Sequence, residues 1–96
     1  MYTKYKIKYG NTQVHVVQFK AATQYNSSSE YLSKSKKLAD ELQCKYKITC
    51  SDDDHILVPT VNGLLKLLPN NYYVVMGNGK GFIYNSLDFN STFQKV

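Results

Sequence analysis

Polar and apolar residues alternate without a break through residues 4–9, KYKIKY, with Tyr5, Ile7 and Tyr9 facing one way and Lys4, Lys6 and Lys8 the other. A period of two marks a half-buried strand, here with a basic outer face. The turn residues GNT follow, and VHVVQF at residues 14–19 reads as the returning strand of a hairpin. The period then changes. Leu32, Ser35, Leu38, Ala39 and Leu42 recur at steps of three and four, which lays a narrow apolar stripe along a helix. Ser27 and Glu30 have capping-box spacing, each side chain placed to satisfy a free N–H at the other's position. A helix is expected over residues 28–43, with Lys34, Lys36 and Lys37 off the stripe and in water.

Beyond the helix the runs are short again. KYKITC, HILVPT, LLKLL, YYVVM and GFIY are apolar or alternating, and SDDD, VNG, PNN and GNGK separate them with turn residues. The closing stretch NSLDFNSTFQKV offers one helical turn capped by Ser86, with Phe89 and Phe93 on one side. Short links between consecutive strands require antiparallel pairing. The expected fold is therefore α+β: a bent antiparallel sheet of about six to seven short strands with one main α-helix packed on it. Residues 1–96 are expected to form a single domain. In that layout GNGKG is a hairpin loop whose glycines supply positive φ and room. A phosphate cradle would need a helix opening behind the glycines, and the β-prone FIY stands there instead.

Composition narrows the possible partners. All 12 basic residues are lysine, against 7 acidic ones, and the formal net charge is +5. Such a field attracts nucleotides or other anions, through point charges rather than the bidentate fork of arginine. No apolar run reaches membrane-spanning length, and the first ten residues lack the apolar middle of a signal peptide. A cytosolic protein with no membrane partner is expected. Cys44 and Cys50 then read as reduced thiols, at a spacing that matches no common zinc pairing. The run SDDDH lacks the alternating oxygens, glycine and closing glutamate of a calcium loop, and reads as an exposed turn with aspartates at its corners. Neither His15 nor His55 stands in a recognisable catalytic constellation, so neither an enzyme nor a cofactor is expected.

What remains is lysine interleaved with tyrosine, of which there are nine, with no tryptophan. Rings stack on bases while ammonium groups meet phosphates, as in nucleotide and single-strand binders. On one alternating strand, however, Tyr and Lys face opposite ways. A shared site needs a tyrosine from another strand, a loop or a second subunit.

Three segments together resemble a family of small tailed-phage proteins. That family opens with a strand of the type K-Y-R-K-K-P-V leading to A-x-Q-F or A-x-Q-W. It closes with I-x-T-L-E-G, G-D-Y-I-I-K-G, G-E-F-Y and P-D-I-F. Here the opening is KYKIKYGNTQVHVVQF, ending on Gln18 and Phe19. Thr60 and Gly63 match the T-L-E-G element, Tyr73 and Gly77 match G-D-Y-I-I-K-G, and Asp88 and Phe89 match D-I-F. Gly81 and Tyr84 match G-E-F-Y across a one-residue insertion. The proline of the first motif is missing, Asn62 replaces one family acid and Phe82 another, so any role of those acids does not carry over.

The resemblance implies an anti-CBASS "sponge" in the cytoplasm of an infected bacterial host. Such a protein captures a cyclic nucleotide immune signal, such as a cyclic dinucleotide, in a homo-oligomer (dimer or tetramer) without degrading it. On that reading Lys6 and Lys8 meet phosphates, Tyr9 and Tyr84 stack, and Gln18, Thr60 and Lys80 read base or ribose. The alternatives are a phage inhibitor that docks on a host protein and a non-specific nucleic-acid binder. The second predicts affinity that falls steeply with salt and does not depend on cyclic structure.

Overall fold

The computed structural model describes residues 2–96. The chain is α+β: the described residues form two α-helices, one short 3-10 turn at Ala22–Gln24 and eight strands divided between two antiparallel sheets. Strands β1 (Thr3–Ile7) and β2 (Gln13–Gln18) form the expected hairpin. They pair with β6 (Tyr72–Val75), β7 (Gly81–Tyr84) and β8 (Phe93–Lys95) in the order β7-β6-β2-β1-β8. A smaller sheet holds β3 (Tyr46–Lys47), β4 (His55–Thr60) and β5 (Gly63–Leu67) in that order. No described helix is long and apolar enough to cross a membrane.

The division into two sheets follows from the PNN turn. Asn70 takes φ 74°, a left-handed conformation that Asn tolerates better than most residues. Its N–H donates to Phe19 O, which carries the chain away from β5 and onto β2. Strand β6 therefore pairs with β2, in the register His15↔Val75 to Gln18↔Tyr72, rather than with its predecessor.

Strand β2 is buried on both faces. Val14 and Val16 pack with Val74, Phe89 and Phe93 beneath helix α2 (Ser86–Thr92). Val17 and Phe19 face the other way, into a cluster with Tyr31, Ala39, Ile56, Val58, Leu67 and Tyr73. The layers run α2, five-stranded sheet, then helix α1 (Ser28–Leu42) with the small sheet. The two sheets are joined where the Tyr73 hydroxyl donates to Pro59 O at 2.7 Å and Val61 N donates to Gly81 O.

Helix α1 starts where the capping box places it. The Ser27 hydroxyl accepts from Glu30 N at 3.1 Å, although the Glu30 carboxylate reaches Asn26 N rather than Ser27 N. The helix closes on Gln43 in the left-handed region, φ 56°. Its buried line is Tyr31, Ser35 and Ala39, while Leu32, Leu38 and Leu42 are half-buried beside it. The second helix is capped by Asn85, not Ser86: the Asn85 side chain accepts from Asp88 N at 2.8 Å.

Three local expectations are corrected. Strand β1 ends at Ile7, because Ile7 N turns to Thr12 O and Gly10 N to Ile7 O, so Tyr9 leaves the core side and is 95% exposed. Of the glycines in GNGKG only Gly79 has positive φ. Gly81 is needed instead for close approach, since a Cβ there would lie 2.6 Å from both Pro59 O and the Tyr73 hydroxyl. The run SDDD is not wholly exposed: Asp54 is buried and anchors the loop. Its carboxylate accepts from the Tyr31 hydroxyl at 2.5 Å and from Thr49 N and Cys50 N at 2.9 Å each.

Candidate functional site

Tyr and Lys do meet on one face, through pairing between strands rather than along one. In an antiparallel pair, residues directly opposite share a face. Tyr5 lies opposite Lys95 of β8, Thr3 opposite Val16, and Gln18 opposite Tyr72 of β6. Thr3, Tyr5, Val16, Gln18, Tyr72 and Lys95 line a hollow of about 310 Å³ at the end of the large sheet. Lys20, just past β2, and Leu38 of α1 complete its rim together with Val17.

The hollow's aromatic wall is held from behind. The Tyr72 ring lies parallel to Phe89, with centroids 3.8 Å apart and planes 2° from parallel. Tyr5 meets the same Phe89 edge-on at 4.9 Å. Phe89 is buried on α2, so this short helix fixes two rings of the wall. Burial, and then the neighbouring Tyr5 phenol, push the Tyr72 hydroxyl above its ordinary value. Tyr72 is therefore a neutral hydrogen-bonding group throughout the physiological range. The lining holds two ammonium groups and no carboxylate. The one ion pair among the described residues, Lys47–Asp53, involves neither Lys20 nor Lys95.

The residues expected from sequence separate into different places. Gln18 lines the hollow. Lys6 sits half-buried in the middle of β1, opposite Gln13 and Gln94 and on the reverse face from Tyr5. Lys8 and Tyr9 belong to the exposed β1–β2 turn. Lys80 is exposed in the β6–β7 turn, where its N–H donates to the Asn78 side chain. Thr60 and Tyr84 come together in a second hollow of about 290 Å³ with Asn62, Gly81 and Phe82. There the Thr60 hydroxyl is taken up by its own turn, donating to Gly63 O and accepting from Asn62 N. Tyr84 meets Phe93 edge-on at 5.2 Å.

Tyr5, Lys20, Tyr72 and Lys95 are the additions that sequence reasoning missed; Tyr5 was read only as a core-side residue of its strand. The doublet Tyr72–Tyr73 was visible in NNYYVV, but only the β2–β6 register shows which of the two rings faces the hollow. The two lysines stand alone beside predicted elements and carry no periodic signal. The described residues hold no group of three or more His, Cys, Asp or Glu placed to bind a metal ion. Comparison of the chain with protein-family models, with curated proteins and with solved structures finds no match.

Proposed function

We propose that the protein binds a nucleotide anion in the hollow between β1, β2, β6 and β8, and acts by sequestering a cyclic nucleotide signal without converting it. The supporting observation is the lining itself: Lys20 and Lys95 beside the Tyr5 and Tyr72 rings and the Gln18 amide, with no acid among them. Ammonium groups answer phosphates, an aromatic wall answers a base, and an amide offers a donor and an acceptor to a base edge. At about 310 Å³ the hollow is at the small end of ligand pockets, which suits one nucleoside phosphate unit. The cyclic dinucleotide and the phage setting come from the family resemblance, and binding without turnover accords with both.

The test is incubation of the purified protein with a panel of cyclic di- and trinucleotides, followed by mass analysis of free ligand before and after heat denaturation. The expected result is depletion of one ligand and its intact return on heating. A changed product after heating would mean turnover, and no depletion of any ligand would remove the sponge reading.

A further inference from the structure

The small sheet presents a face and an edge that the nucleotide reading does not use. On its outer face β3, β4 and β5 align residues in rows. Leu57 lies opposite Lys66, and Pro59 lies opposite Leu64. Lys45 joins the first row, since Lys45 O accepts from Leu57 N at 2.8 Å. Lys45, Leu57, Pro59 and Leu64 line an open groove of about 360 Å³.

The hydrogen-bond alternation says what the edge offers. Leu57 spends its N–H on β3, so its β5 partner Lys66 turns its own N–H and C=O away from β4. Leu64, two residues earlier, does the same. Strand β5 is last in its sheet, and these groups face outward. Edges are usually blunted by proline, bulges, covering segments or charged side chains, lysine above all. Here Lys66 is the only charge on the strand, and Leu64 is 66% exposed.

Charge selects the occupant. Asp53, just before β4, is already held by Lys47 at 2.6 Å. Lys45 and Lys66 have no ion-pair partner among the described residues. The rows carry leucine and proline, and the one aromatic ring on this face, His55, is half-buried and tied to Asp53 O at 2.8 Å, which disfavours base stacking by nucleic acid. We propose that the free edge and outer face of the small sheet receive an extended strand of a partner protein. In that strand the residues on the outer face, two positions apart, are by turns apolar and acidic: its backbone pairs with Leu64 and Lys66, an apolar side chain opposite Leu64 covers it and Pro59, and a carboxylate opposite Lys66 meets its ammonium group. This site is independent of the nucleotide hollow on the large sheet.

The probe is a labelled, end-capped peptide of the repeat Val-Thr-Glu-Thr, which places valine and glutamate on one face, compared with its Val-Thr-Lys-Thr counterpart by fluorescence anisotropy. The acidic peptide is expected to bind with a dissociation constant below about 100 µM, and the lysine peptide at least about tenfold more weakly. Two variants separate edge from charge. Leu64→Pro removes one outward N–H without touching the β4–β5 ladder, and Lys66→Glu reverses the charge. Each is expected to weaken the acidic peptide about tenfold or more, with the circular dichroism spectrum unchanged. Equal binding of both peptides, full affinity in a folded Leu64→Pro variant, or no binding of either peptide would overturn the proposal. So would sedimentation showing that β5 is already occupied by a second copy of the chain.

Discussion

Two residues hold positions that no substitution leaves unchanged. Gly81 sits where β7 passes the β4–β5 hairpin, and a methyl group there would be driven into Pro59 O and the Tyr73 hydroxyl, 2.6 Å from each. Gly81→Ala is expected to lower stability by about 2 to 4 kcal/mol, from overpacking plus the strained Tyr73–Pro59 hydrogen bond. Gly77→Ala is the control: nothing lies within 4 Å of its added Cβ, and its urea midpoint should stay near the parent's. Asp54 is the second such residue. Burial by itself would raise its carboxyl pKa, but donors from Thr49, Tyr31, Ser51 and Cys50 outweigh burial and hold it below the ordinary value. The folded pKa lies below the unfolded one, so this stabilisation is complete above the unfolded value and is lost as pH falls through the folded one. Stability should be level above about pH 5 and fall below about pH 4. Asp54→Asn should flatten part of that acid loss and cost on the order of 2 kcal/mol at neutral pH, both read from urea unfolding across pH.

At the scale of elements, helix α1 carries one defect and one asset. The Ser35 hydroxyl is buried with no hydrogen-bond partner among the described residues. Ser35→Ala removes that desolvated group and raises helix propensity, so it should stabilise the fold by about 0.5 to 1 kcal/mol. Ser27→Ala removes the cap on Glu30 N and should cost about 1 kcal/mol. Thermal and urea unfolding read both, and a destabilised Ser35→Ala variant would show that the hydroxyl has a partner after all. The same helix shows what the sequence makes legible. Its span was readable from the three- and four-residue steps and from the Ser27 cap, and strands β4 and β7 from HILVPT and GFIY, because these signals are local. Tyr31 was not placed in the core, because its burial depends on the Asp54 carboxylate 23 residues away. Strand β8 was not legible either. Phe93–Lys95 is too short to show a period, and it becomes a strand only by pairing with β1 at the opposite end of the sequence.

At the scale of the whole molecule, the hollow gathers residues from both ends of the chain. Thr3 and Tyr5 come from β1, Gln18 from β2, Tyr72 from β6 and Lys95 from β8, with Leu38 of α1 at the rim. Strand order decides that gathering, and no local pattern in the sequence encodes strand order. This is why only Gln18 of the residues expected from sequence lines the hollow. A site built from five elements also exists only in the folded state, so ligand binding must draw on the global folding equilibrium. A ligand at a hundredfold excess over its dissociation constant should add about 2.7 kcal/mol to stability. For a chain of this size that raises the melting temperature by on the order of 10 °C. The double variant Lys20→Ala/Lys95→Ala should unfold at nearly the parent temperature without ligand, since neither lysine is in an ion pair among the described residues. It should also lose most of the ligand-induced shift. The matching variant Lys6→Ala/Lys8→Ala touches the reverse face and the turn, and should keep that shift in full. If the second pair abolishes the shift and the first does not, the nucleotide sits on the opposite face of β1, where Lys4 and Lys6 project, and the hollow is empty space at a sheet end.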